Sequence, residues 1–292
     1  MFNGERTGPL GIISICISIC AAGVILASAP VGVASTGDHY GGPPRHLGAD
    51  LDHLVGAYPD WIKGHDNQYL FLRNGVRFPI SDHRTDKSFE QLLEQPDIDD
   101  MFYVRYPAGA KPGQPPQNFD PGRVRFGPLF MAMYGDCKKN QVAATLRTIA
   151  WLPRHGGGHV AVTTVNGVDK ALEAVSRELD RLPGAYIKYL KPSGGTYNCR
   201  NVAGSHVRSM HAYAAAIDLN PEYADYWRWS AKNVGHPVWR NRIPTTIVRV
   251  FEKHGFIWGG YWYHYDTMHF EYRPELLPAY TPAGRKPAPD RQ

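Results

Sequence analysis

The stretch SMHAYAAAIDLN, residues 209–220, carries the decisive pattern of this chain: His211 and Asp218 stand seven residues apart around a run of small apolar residues. Ala215 to Leu219 reads as a short strand inside the core, so Asp218 is an acid in a core element, where an ionised carboxylate is costly without a cation. The second half of the pattern is Asp266-Thr267-Met268-His269-Phe270-Glu271, whose His269 lies 51 residues beyond Asp218. Together these stretches offer two imidazoles and a carboxylate as ligands, with a further acid three residues before the last His. Those are the parts of a catalytic zinc site that keeps one coordination position open for water. The blander alternative for Asp218 is a buried acid satisfied by hydrogen bonds or a salt bridge.

With His269 on a strand, Asp266 falls at the strand entrance, the position of a general base rather than of a ligand. Glu271, two residues on, faces the same side as His269 and is either the group that orients a ligand imidazole or a surface acid paired with an Arg. Ser209 is expected to hydrogen-bond near the metal loop and has no His and acid partners that would make it a nucleophile.

Outward from this centre, Asp169 to Leu182 reads as the best helix, with Ala171, Leu172, Val175, Leu179 and Leu182 on one stripe. Pro244 to Lys253 is a second helix, burying Ile247, Val248 and Phe251 and stopping at Gly255. Val142 to Leu152 reads as helix and Ala185 to Leu190 as strand. Short strands are expected at His159 to Thr164, Phe256 to Trp258 and Met268 to Tyr272, with a turn at Asn166-Gly167. Helices and strands mix without strict alternation, which predicts an α+β fold with a small, mostly antiparallel sheet flanked by helices.

The 292 residues are 43% hydrophobic and 12% aromatic, enough for a substantial core. The formal charge of +5 is spread among acids, with no Lys or Arg run longer than two, so nucleic acid is not an expected partner. At the amino terminus, Arg6 precedes an apolar run from Leu10 to Ala27 and polar sequence from Ser35, which reads as an export signal cleaved after Ala34 or as an uncleaved membrane anchor. Export leaves Cys137 and Cys199 in an oxidising compartment, either paired or as two buried thiols. Residues 107–123, PAGAKPGQPPQNFDPGR, form the strongest loop signal, a linker or a long surface loop.

Lesser candidates fall outside this constellation. His155-Gly156-Gly157-Gly158-His159 lacks the Lys and Ser/Thr of a nucleotide loop and reads as a turn. His264 reads as an exposed neighbour of the site rather than a rim residue, and His254 as a partner of a helix end. Trp258, Trp262 and Tyr263 serve either a cleft wall or the core.

Residues 209–218 resemble the Ser-x-His-x-x-Gly-x-Ala-x-Asp motif, and DTMHFE the acid-x-x-His motif, of zinc D-Ala-D-Ala carboxypeptidases and L-alanyl-D-glutamate endopeptidases. These are the VanY-like relatives of lysostaphin-type enzymes and of the hedgehog fold. The resemblance covers about Tyr197 to Pro274. It implies one Zn2+ per chain on His211, Asp218 and His269, Asp266 as catalytic base, and Arg200 polarising the scissile carbonyl. Two departures are visible: Ala214 stands where the family has Gly, and the base is Asp, as in the endopeptidase and phage-lysin branches.

The resemblance further implies a hedgehog-like catalytic domain at 126–280, after a targeting segment at 1–34 and an accessory region at 35–125, and before a polar tail at 281–292. The implied substrate is the peptidoglycan stem peptide, cut in the periplasm or cell envelope, with membrane contact only through an uncleaved amino-terminal segment. A catalytically silent zinc or wall-binding module and a phage-type lysin with a releasable anchor are the alternatives.

Overall fold

The computed structural model describes Pro44 and residues 46–277; the targeting segment read at 1–34 and the tail at 281–292 lie outside them. The chain runs through α1 (Leu47–Ala57), β1 (Ile62–His65), β2 (Tyr69–Leu72), β3 (Arg77–Pro79), α2 (Phe89–Glu94) and α3 (Gly127–Tyr134). It continues with β4 (Leu146–Ala150), β5 (His159–Thr163), α4 (Val168–Leu179), α5 (Ile187–Leu190), β6 (Ala216–Asp218) and α6 (Trp227–Val234), and ends with α7 (Thr245–Lys253), β7 (Phe256–Trp258) and β8 (His269–Tyr272). Among the described residues, no helix is long and apolar enough to cross a membrane.

Three small antiparallel sheets are distributed among the helices, giving an α+β architecture: β1-β2-β3, the hairpin β4-β5, and β6-β8-β7 with β8 in the middle. The last sheet positions the candidate site. Its register sets Asp218 opposite His269, Ile217 opposite Phe270 and Ala216 opposite Glu271. Because successive side chains alternate faces, Ile217 and Phe270 turn into the core while Asp218, His269 and Glu271 share the other face. On the core side Phe270 stacks on Phe251 of α7 with ring centroids 3.9 Å apart.

Helix α4 buries Val168, Leu172, Val175 and Leu179, spaced four, three and four residues apart as a helical stripe requires. It ends at Leu179, ahead of Leu182, with Asp180 at its C-cap. Helix α7 begins after Pro244, whose missing N–H costs nothing there. Two expectations fail. Residues 142–152 hold a single 3-10 turn, Ala143–Thr145, and then strand β4, because the whole of β5 offers a five-residue partner ladder and Thr148 and Ile149 favour it. Residues 185–190 form a turn and the short helix α5, with Ile187 and Leu190 both turned inward; no strand pairs with them.

The region before residue 126 shares one buried apolar cluster with the rest of the described chain, which includes Leu54, Leu70 and Ile98 as well as Phe130, Trp258 and Phe270. Tyr58, the C-cap of α1, donates to Glu275 at 2.6 Å. The Pro-rich stretch 107–123 is strapped down by side chains from 239–263: Tyr261 donates to the Ala110 carbonyl and Trp262 to the Pro121 carbonyl, each at 2.7 Å. Cys137 and Cys199 form a disulfide with their Cα atoms 5.7 Å apart.

Candidate metal centre

His211 sits in a 3-10 turn, Met210–Tyr213, capped by Ser209, whose Oγ accepts from the His211 amide at 3.3 Å. That turn must reverse sharply to enter β6, and Ala214 makes the reversal in the left-handed region at φ 52°, ψ 32°, fully buried. Ala214 thus holds a positive-φ position that suits Gly better, at a conformational cost. Asp218 is approached from its edge by Gly194 and Gly195, whose backbone bridges it; a Cβ on Gly194 would meet Asp218 Cβ at 2.8 Å.

Three atoms converge. His211 Nε2 lies 3.1 Å from His269 Nδ1 and 3.1 Å from Asp218 Oδ1, and His269 Nδ1 lies 3.0 Å from the same oxygen. The far nitrogen of each ring is already committed. His211 Nδ1 donates to the Thr196 carbonyl at 2.9 Å, and His269 Nε2 faces Glu271 Oε2 at 3.1 Å. With those nitrogens as donors, both neutral imidazoles point lone pairs at one another and at a carboxylate. Such a cluster is satisfied by a proton on one ring or by a metal cation between its atoms. Burial opposes a charge on His269, yet its hydrogen bonds to the Asp218 and Glu271 carboxylates push its pKa up to about 10. Against the same burial, His211 and His269 hold Asp218 well below the usual carboxylate range.

Glu271 is fully buried and is gripped by two guanidiniums, Arg125 at 3.2 Å and Arg273 at 3.1 Å. Burial would raise it, but Arg125 and the His269 hydrogen bond hold it far down. Of the two readings left open for this residue, the structure shows the acid that buttresses His269. Beyond it, Arg273 also pairs with Glu275, so a chain of buried charges backs the site.

Asp266 stands at the entrance to β8 and lines a cavity of about 540 Å3 together with Asp218, His269 and Arg200. Its Oδ1 is buried with no hydrogen-bond partner, and burial, followed by the Asp218 charge, pushes the carboxyl up to about 6. An unpartnered acceptor on a residue that lines the cavity suits a group that takes a proton from water there. Arg200 is exposed on a small hairpin that closes back on Ser209; its Nη1 donates to the Asn201 carbonyl at 3.2 Å. The structure therefore gathers all five sequence-predicted residues: His211, Asp218 and His269 in contact, and Asp266 and Arg200 on the cavity wall.

Of the other sequence candidates, His264 stands differently from its reading, while His254, Trp258 and Trp262 fall within theirs. His264 is half-buried, bonds Asp120 Oδ2 at 2.7 Å, stacks on Phe89 and lines the cavity, so it is a rim residue after all. Asp120, in a Pro-rich loop, supplied no sequence hint of that bond. His254 caps α7 and reaches Glu178 at 2.9 Å. Trp258 is core, whereas Trp262 both packs inside and faces the cavity beside His269, with ring centroids 5.6 Å apart. Arg123 and Arg125 were not anticipated: they follow a Pro-Gly turn in the same loop, and no motif ties them to residues nearly 150 positions away. The Thr196 contact uses a backbone carbonyl, which leaves no residue signature at all.

Residues 203–272 match the family model described as D-alanyl-D-alanine carboxypeptidase. The carboxypeptidase match includes His211, Asp218, Asp266, His269 and Glu271; it leaves out Arg200, Thr196 and both Arg123 and Arg125. No curated protein and no solved structure matches the chain.

The residues present fit a zinc ion. The donor set is two imidazoles and one carboxylate, the rings are held by acceptors on their far sides, and an unpartnered carboxylate oxygen waits beside them.

Proposed function

We propose that the protein is an exported, zinc-dependent peptidase that hydrolyses amide bonds of peptidoglycan stem peptides, either trimming a terminal D-Ala or opening the L-Ala–D-Glu link. The observation that carries this reading is the convergence of His211 Nε2, Asp218 Oδ1 and His269 Nδ1 within 3.1 Å of one another, inside a segment matching a carboxypeptidase family. A zinc ion on these three atoms supplies a Lewis acid that acidifies a water and polarises the scissile carbonyl. The chain's own residues do the rest. Asp266 accepts the proton of the attacking water and delivers it to the leaving amine, a task for which a carboxyl raised toward neutrality is suited. Arg200 reaches from its hairpin toward the developing oxyanion. Glu271 and the Thr196 carbonyl keep both imidazoles in one tautomer and orientation.

The family motifs also support a hedgehog-like peptidase fold for this region. The disulfide supports export to the periplasm or envelope, since structural disulfides persist in oxidising compartments. A silent binding module is disfavoured by Asp266: a buried carboxylate oxygen without a partner costs stability and returns nothing unless it acts on a substrate or water. Incubating the zinc-loaded protein with muropeptides of defined stem length, with and without chelator, tests the reading by mass spectrometry. Chelator-sensitive release of D-Ala or of the peptide beyond L-Ala is expected; zinc bound at one per chain with no stem cleaved would overturn it.

A further inference from the structure

Three guanidiniums line the cavity, and they are not equivalent. Arg125 is buried and charge-paired, both oxygens of Glu271 lying 3.2 and 3.3 Å from its Nη1. Arg200 is exposed on its hairpin and is already assigned to the carbonyl. Arg123 is intermediate: its Nη1 donates to Asp120 Oδ2 at 3.1 Å, its guanidinium lies 5.6 Å above the Trp262 ring, and its side chain is 17% exposed. Asp120 has one charge and three claimants, because His264 takes it through both its backbone N–H and its ring. Arg123 is thus anchored by one nitrogen in a defined pose and incompletely neutralised, the arrangement of a preorganised anion receptor.

Its place in the cavity identifies the anion. Trp262, His264 and Asp266 ride on one loop, and the amides of Trp262 and Asp266 donate to the same carbonyl, that of Gly259. The Asp120–Arg123 pair packs against this loop, on the side of the base. A base that returns its proton to the leaving nitrogen has the leaving residue next to it. In the two reactions proposed above, that residue has the same chemistry. Terminal D-Ala carries a free α-carboxylate on the carbon bonded to the scissile nitrogen, and D-Glu, linked onward through its γ-carboxyl, does so as well.

Resting on the peptidase reading, we infer that Arg123 binds the free α-carboxylate of the leaving D-residue and so sets the specificity of the site for stem-peptide bonds. The residue lies outside the segment that matches the family model. Ordinary peptide bonds inside a chain present an amide at that position and lose this contact.

The test is calorimetric binding to the zinc-loaded full chain carrying Asp266→Ala, which slows turnover, with each ligand checked by mass spectrometry to be intact at the end of the titration. Two pairs of ligands separate the two carboxylate sources: a pentapeptide stem ending in D-Ala acid or D-Ala amide, and a peptide containing L-Ala–γ-D-Glu or L-Ala–D-isoglutamine. The acid of at least one pair should bind about tenfold or more tightly than its amide. Adding Arg123→Gln should reduce that preference to within about twofold by weakening the acid alone, and Arg123→Lys should restore part of it. Zinc content and melting temperature of each variant control for folding. Equal binding of acid and amide, or a preference that survives Arg123→Gln, overturns the carboxylate role and leaves the peptidase reading standing. Failure of all four ligands to bind overturns both.

Discussion

The sheet β6-β8-β7 and the loop 119–125 contribute opposite kinds of information to one site. The sheet supplies two of the three proposed ligands through register: Asp218 and His269 are cross-strand partners, and Glu271 is two residues further on the same face. The loop supplies charge through distance in sequence, Arg125 reaching Glu271 across 146 residues and Asp120 reaching His264 across 144. A metal centre can be built from local motifs because strand geometry fixes its spacing. Electrostatic support can come from any segment that folds against it. The segment matching the carboxypeptidase family therefore contains the proposed ligands, the proposed base and Glu271, while Arg123, Arg125, Thr196 and Arg200 lie outside it.

Replacing the base gives the largest expected effect. Asp266→Ala should retain one zinc per chain and lower kcat by about 10²–10⁴-fold, the range for a lost general base. Loss of zinc along with activity, measured by metal analysis, would assign Asp266 to the ligand set instead.

Zinc uptake should depend steeply on pH. His269 is raised from 6.5 to about 10, so its proton stabilises the zinc-free fold fully below about pH 6.5, and that stability is lost as pH rises toward 10. The ion must displace the proton, and apparent affinity should strengthen by about tenfold per unit between roughly pH 6 and 8. Competition titrations with a chromophoric chelator read this directly; a flat profile would contradict the protonated cluster.

The support from the loop is tested one step away from the ligands. Glu271→Gln should weaken zinc by about 10–100-fold, as removing the partner of a ligand imidazole does. Arg125→Gln should cost less, because Arg273 still holds Glu271 at 3.1 Å. An equal or larger loss from Arg125→Gln would make the loop, not the sheet, the dominant support.

How far the sequence could be read follows from the same contrast. His211, Asp218, Asp266 and His269 were legible because they sit in two short motifs, each ending at a strand residue, Asp218 of β6 or His269 of β8. Helices α4 and α7 were legible because their stripes are long and periodic. Residues 142–152 were misread because an apolar stretch interrupted by Thr fits a helix locally, and only the partner strand β5 decides against it. Residues 185–190 were too short for periodicity to separate a turn of helix from a strand. Arg123, Arg125 and Asp120 carried no signal, since nothing near them in sequence is what they touch.

The smallest expected effect concerns the turn between His211 and β6. Ala214 occupies a left-handed conformation that costs a non-glycine residue roughly 1–2 kcal/mol, of which part is returned by the greater unfolded-state freedom of Gly. Ala214→Gly should therefore stabilise the protein by about 1 kcal/mol without altering zinc stoichiometry, as read by denaturant unfolding. Destabilisation would show that the methyl group's packing outweighs the backbone cost.

The most direct test of the central claim is X-ray absorption at the zinc edge on the zinc-loaded full chain, compared with the His269→Ala variant. The account predicts one zinc per chain with two imidazole nitrogens, oxygen donors completing the shell and no sulfur, and loss of the ordered signal in the variant. A sulfur-containing or all-imidazole shell, or an unchanged spectrum in His269→Ala, would contradict it.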